Sequence, residues 1–115
     1  MERHDIQRLE HILDYCEDIE DALVRVCHSY EQFLSEKMAQ YAIAFSILQI
    51  GELVAKLSEE LRSATRDEID WPAVKGMRNI IAHDYGEVRL SIVWNVATND
   101  IPVLKAFCKR QLGEP

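Results

Sequence analysis

The 115 residues predict an all-helical fold, an up-down bundle of four to five helices forming a single domain over residues 1–115. Three observations carry that expectation. Apolar residues recur at spacings of three and four through every long segment. No stretch alternates apolar and polar residues over a useful strand length. Helix-start residues fall in the polar gaps between the periodic segments. The length is one ordinary domain's worth. A chain 48% hydrophobic and 29% charged has the balance of a packed soluble domain rather than a disordered one.

Residues 3–28 make the first predicted helix. Ile6, Leu9, Ile12, Leu13, Cys16, Ile19, Leu23, Val26 and Cys27 form its apolar stripe. Glu10, Asp14, Glu17, Asp18 and Asp21 form an opposite face that reads as solvated. Ser29 ends the pattern, and Ser35 is a candidate N-cap for the second helix, residues 36–62. The apolar set of that helix is Met38, Tyr41, Ala42, Phe45, Leu48, Ile50, Leu53, Val54 and Leu57, broad enough for burial on more than one side. Gly51 interrupts it at a cost of about 1 kcal/mol relative to alanine, which calls for the close approach of another backbone. Glu52 beside it reads as a structural or exposed carboxylate ahead of a site residue.

Residues 63–70 are polar and read as a loop. Asp70 then caps a third helix over 71–84, with Pro72 inside its first turn and Trp71, Val74, Met77, Ile80 and Ile81 on its apolar side. A last helical region covers 88–112 through Leu90, Val93, Trp94, Ala97, Ile101, Leu104, Phe107 and Cys108. Pro102 must kink or split it, and Asn99 or Asp100 can cap the second half. Trp71 and Trp94 are expected in the core.

Cys16, Cys27 and Cys108 form no CxxC pair; Cys16 and Cys27 share one apolar face and read as buried free thiols of a reducing compartment. The charged start, Met1-Glu2-Arg3-His4-Asp5, is not a signal peptide, and no run reads as apolar enough to span a membrane. A cytoplasmic location is the expectation. The net charge of −7 is awkward for a nucleic-acid ligand, but it is unevenly spread. Residues 1–72 hold 7 Lys/Arg against 16 Asp/Glu, and residues 73–115 hold 6 against 4.

The chemistry-bearing stretch lies in that less acidic part: Arg78-Asn79-Ile80-Ile81-Ala82-His83-Asp84-Tyr85. Arginine is a permanent cation whose fork of donors suits phosphate. Histidine both takes and gives a proton near neutral pH. Asn79 and His83 are four apart and share a helix face, so Asn79 can help set the imidazole tautomer. Arg78 and His83 are five apart, roughly 140° around a regular helix. They converge only through the long arginine side chain, a change of backbone at the helix end, or a second copy of the segment. Gly86 is a candidate helix stop. On composition alone the plain reading has the better odds: a last-turn histidine facing the helix dipole and a solvated arginine.

Other constellations fail. The residues three before His4, His11, His28 and His83 are Met1, Arg8, Arg25 and Ile80, so the Glu-x-x-His di-iron pattern is missing. There is no His-Glu-x-x-His, phosphate loop or Gly-x-Ser-x-Gly motif. His4 and His11 share a face without a third ligand. No metal or other cofactor is expected.

From Asp70 to Leu104 the chain resembles the HepT-like branch of the HEPN domains, helical toxin RNases of prokaryotes. The residues that carry this are Ile69-Asp70-Trp71, Gly76-Met77-Arg78-Asn79, His83-Asp84-Tyr85, Ile92-Val93-Trp94 and Asp100-Ile101-Pro102-Val103-Leu104, with Ile50-Gly51-Glu52 earlier. Asp84 stands where a small residue is more usual, and Ile80-Ile81 where a basic one is common.

The resemblance implies a HEPN-like bundle that pairs as a homodimer and cleaves RNA without a metal by attack of the 2′-hydroxyl. It casts Arg78 and His83 as catalytic, Asn79 and Asp84 as supporting, and Tyr85 as an acceptor of AMP from a minimal nucleotidyltransferase antitoxin. Two alternatives stay open. One is a non-catalytic nucleotide- or RNA-binding subunit of the same fold, partnered with a nucleotidyltransferase. The other is a structural platform for that enzyme.

Overall fold

The computed structural model describes residues 1–83 and 89–114, with residues 80–83 described as helix backbone only. Among these residues the chain is helical and contains no strand. The helices are α1 (Arg3–Arg25), α2 (Tyr30–Ser35), α3 (Lys37–Lys56), α4 (Glu59–Ala64), α5 (Trp71–His83), α6 (Leu90–Asn95) and α7 (Ile101–Leu112), with a π-helical turn at Val96–Asp100 joining the last two. In space α1 lies between α3 and α7, and α3 lies between α1 and α5. Leu9, Ile12 and Ile19 of α1, Ile43, Ile47, Ile50 and Val54 of α3, and Ile101, Leu104 and Phe107 of α7 are fully buried in the shared core. Each contributes about 1.5–3 kcal/mol by leaving water.

The first helix is shorter than its apolar stripe suggests. It ends at Arg25, and Cys27 and His28 take left-handed backbone with φ of 56° and 53°. Cys27 therefore faces solvent, while Cys16 and Cys108 are buried. The periodicity runs on past the helix because Val26 still packs into the core.

Ser29, read as a break, caps an additional helix: its Oγ accepts from the Gln32 N–H at 3.2 Å. Helix α2 is anchored by buried Phe33, whose ring lies 5.2 Å from that of Trp94. Ser35 is not the cap of α3 but the last residue of α2, donating to the Gln32 carbonyl at 3.0 Å.

The second predicted helix, 36–62, is divided. Leu57 is extended (φ −63°, ψ 147°), and Ser58 caps α4 by accepting from the Leu61 N–H at 3.1 Å. Asp5, buried in α1, accepts from the Ser58 N–H at 2.9 Å and from its hydroxyl at 2.5 Å. Arg8 donates to the Lys56 carbonyl at 2.5 Å. These bonds stitch the corner between α3 and α4 to the start of α1. By length and composition α3 does reach the apolarity of a membrane-crossing helix. Here it is the central helix of the core, packed against α1, α2 and α5.

Asp70 caps α5 as its position predicts, accepting from the Ala73 N–H at 3.2 Å. Trp71 is buried, its indole donating to Thr65 Oγ1 at 3.0 Å and its ring set edge-on to Phe107 at 5.3 Å. The last helical region is split by the π-helical turn, and Pro102 falls in the first turn of α7, where its missing N–H is least costly. Asp100 precedes α7 without a side-chain capping bond. Lys105 of α7 reaches Glu20 of α1 at 2.6 Å, an interaction that raises the lysine above its ordinary pKa.

Candidate functional site

Arg78 sits where α5 crosses α3. A Cβ built on Gly51 would lie 2.5 Å from Arg78 Cβ and 3.4 Å from its Cα. Only a glycine lets the two helices close to this distance, so the mid-helix glycine is spent on bringing α3 against the arginine. The next residue, Glu52, forms an ion pair from Oε1 to Arg78 Nε. Sequence alone favours a structural role for Glu52; the fold puts it on the guanidinium of the principal candidate residue. The signal was the Gly51-Glu52 pair itself, a helix-weakening residue beside a charge.

The two side chains remain 38% and 41% exposed. A pair this open to water adds little to stability, about 0–1 kcal/mol. Its consequence is geometric. With Nε engaged by Glu52, the Nη1/Nη2 edge is the part of the guanidinium that can meet an incoming anion in the two-pronged manner arginine favours. Among the described residues no second acidic side chain forms an ion pair with Arg78.

Asn79 is exposed on the following position of α5. The helix continues to His83, placing Asn79 and His83 one turn apart on one face. Arg78 and His83 stay roughly 140° apart around the same helix axis. The His83 side chain, with Asp84, Tyr85 and Gly86, lies outside the described residues. His4, His11 and His28 are all exposed and scattered. Among the described residues no group of three His, Cys, Asp or Glu side chains is placed to hold a metal ion.

An all-helical bundle whose sequence carries Arg-x4-His-x-Tyr, its arginine on α5 against the central α3, defines a HEPN-like class of protein. The family model described as "Ribonuclease HepT-like" matches residues 12–111. The chain belongs to the HepT-like ribonuclease family. A protein of Caldanaerobacter subterraneus subsp. tengcongensis, provisionally named as an RNase, is 32% identical over 104 residues, covering 90% of each chain. "Probable ribonuclease HepT" of Thermococcus cleftensis is 30% identical over 105 residues, covering 91% of this chain and 93% of that one. A Methanocaldococcus jannaschii protein, again provisionally named as an RNase, is 32% identical over 106 residues, covering 91% and 85%. No solved structure matches the chain at a significant level.

Proposed function

We propose that this chain is a metal-independent endoribonuclease, the toxin of a prokaryotic toxin–antitoxin pair. The observation that supports this most directly is the arginine at the crossing of α3 and α5, held by Glu52 and followed one and five positions later by Asn79 and His83, in a chain of the HepT-like ribonuclease family. In this reading Arg78 offers its outer edge to the scissile phosphate. The RNA 2′-oxygen bonds to phosphorus, the bond from phosphorus to the 5′-oxygen breaks, and charge grows on the non-bridging oxygens, where the guanidinium stabilises it. One imidazole accepts the 2′-hydroxyl proton and one returns a proton to the departing 5′-oxygen. Asn79 orients His83, and Asp84 is assigned as the second supporting residue.

A homodimer follows from this chemistry. Arg78 and His83 diverge on one α5, so two copies of the segment facing each other supply both groups, and two imidazoles, to one cleft. On α3, Tyr41, Phe45, Leu48 and Glu52 fall at spacings of four, three and four, one stripe along the helix. Its first half is exposed, with Met38 at 72%, Tyr41 at 52% and Phe45 at 55%. An exposed apolar stripe that ends at the Arg78 ion pair suits a second copy of the chain.

Control is assigned to Tyr85. A minimal nucleotidyltransferase antitoxin transfers AMP to its hydroxyl, and the added phosphate and nucleotide occupy the approach of RNA. Tyr85→Phe keeps the ring and removes the acceptor oxygen. The variant should remain toxic and escape neutralisation by modification. AMP found on another residue, or equal neutralisation of the variant, overturns this assignment.

The activity itself is tested with purified protein and RNA. His83→Ala should lose roughly 10²–10⁴-fold in cleavage rate with its fold intact. Arg78→Lys, which keeps charge but not the planar fork, should also be impaired. Cleavage should persist in EDTA. Activity abolished by chelation and restored by magnesium would refute the mechanism, and RNA binding without cleavage would favour the non-catalytic subunit.

A further inference from the structure

We infer that a second phosphate-binding site lies in the groove between α4 and the start of α5, and that it carries the backbone of single-stranded RNA toward Arg78. The inference rests on the ribonuclease reading only for the identity of the strand. The groove is an open depression of about 440 Å³ lined by Glu59, Arg62, Ser63, Arg66, Trp71, Pro72 and Lys75. Three of those residues are cations and one is an anion, so the groove is net positive in a chain of net charge −7.

None of the three cations forms an ion pair with a described residue; the ion pairs present join Arg78 to Glu52, Lys105 to Glu20 and Arg110 to Glu68. Arg62 is the most telling. Its Nε is buried and has no hydrogen-bond partner, the one such side-chain atom among the described residues. A buried donor without an acceptor is costly to leave unmade. Nε itself is closed to solvent, so a phosphate in the groove meets Arg62 through those of its atoms that line the groove. Lys75 and Arg66 are exposed at the rim, where long flexible cations meet phosphate as point charges.

The walls are fixed before any ligand arrives. The buried Asp5 carboxylate bonds Ser58 at the start of α4, holding the helix that carries Arg62. Thr65 accepts from the Trp71 indole and donates to the Leu61 carbonyl at 2.7 Å, locking α4 to the start of α5. Lys75 and Arg78 lie three residues apart on α5, about 4.5 Å along its axis. Lys75, at the edge of the groove, is therefore within one helical turn of Arg78 along α5. A strand whose phosphates touch Arg62, Arg66 and Lys75 is led along α5 to Arg78. RNA is favoured over an acidic protein because donors grouped this closely, beside an arginine with its own outer edge open, suit phosphates repeating along a chain.

The test measures binding of a labelled 2′-O-methyl oligoribonucleotide of about twelve nucleotides to the full chain, by fluorescence anisotropy at several salt concentrations. The probe lacks the attacking hydroxyl and stays whole. Arg62→Gln, Arg66→Gln and Lys75→Gln together should weaken binding at least about tenfold, and the slope of log K against log salt should flatten by about 0.7 for each phosphate no longer neutralised. Lys75→Gln alone, at an exposed position, should show one such step and covers the case in which the triple variant does not fold. Unchanged affinity and slope in a folded triple variant, or in Lys75→Gln where the triple variant does not fold, overturn the groove, as does failure of the parent chain to bind the probe. Cleavage of unmodified RNA by the parent chain is scored separately. Cleavage with no groove effect sinks only this inference, and a groove effect without cleavage sinks only the nuclease.

Discussion

Glu52 decides how Arg78 is presented, and a single substitution separates its two conceivable effects. If the carboxylate orients the guanidinium, Glu52→Ala releases a long side chain into several rotamers. Cleavage should then fall roughly 10–100-fold through kcat. Stability should move by no more than about 1 kcal/mol, because the pair is open to water. Glu52→Gln keeps an acceptor for Nε and should recover most of the rate. Faster cleavage in Glu52→Ala would mean that the carboxylate competes with RNA phosphate for the arginine.

The cysteines make an equally local prediction. Desolvation holds the Cys16 thiol far above its ordinary range and pushes Cys108 up to about 12, whereas Cys27 is exposed. In the folded protein an alkylating reagent should therefore modify Cys27 alone, as read by peptide mass spectrometry. Thiols whose folded pKa is raised stabilise the fold fully below their unfolded value of 9.0. That contribution is lost as pH rises through 9 toward about 12. Rapid labelling of Cys16 or Cys108 at neutral pH would contradict their burial.

At the scale of elements, Gly51 joins packing to function. Gly51→Ala gains up to about 1 kcal/mol of helix propensity. It also places a methyl group 2.5 Å from Arg78 Cβ, an atom too close to the α5 backbone to swing away. The helices must part, so we expect a net loss of about 1–3 kcal/mol by urea denaturation and reduced cleavage in the same variant. A stabilised Gly51→Ala would show that the crossing is not tight.

The close approach was legible in the sequence because a glycine inside an apolar helix has few other uses. So was the Asp70-Trp71-Pro72 start of α5, where cap, anchor and proline stand in consecutive positions. Periodicity could not reveal where a helix stops while its apolar stripe continues. Val26 and Leu57 extend two stripes beyond their helices because turn residues can also point into the core. The corner at Ser58 was signalled by a serine followed by Glu59 and Glu60, a helix-start pattern that the continuing stripe obscured. The ion pair of Glu52 with Arg78 spans 26 positions of sequence, which spacing on either helix alone does not encode.

For the whole molecule, the proposed nuclease must present a phosphate site despite its negative charge, and must bring together two groups that one helix holds apart. Local grouping answers the first demand: Arg62, Arg66 and Lys75 line one groove that holds a single acidic residue, Glu59. The proposed pairing of two chains answers the second, and the stripe from Met38 to Glu52 is where it can be tested. Phe45→Lys puts a charge on a residue that is exposed in the single chain, so the monomer should keep its helical spectrum and unfolding midpoint. The partner copy would have to bury that charge, which is prohibitive without a counter-ion. Sedimentation of the parent should show a dimer at micromolar concentration, Phe45→Lys a monomer. Cleavage by the variant should fall with its dimer fraction and recover as protein concentration is raised. A Phe45→Lys monomer that cuts RNA as fast as the parent would show that one α5 suffices, and that Arg78 reaches around its own helix to the phosphate His83 serves.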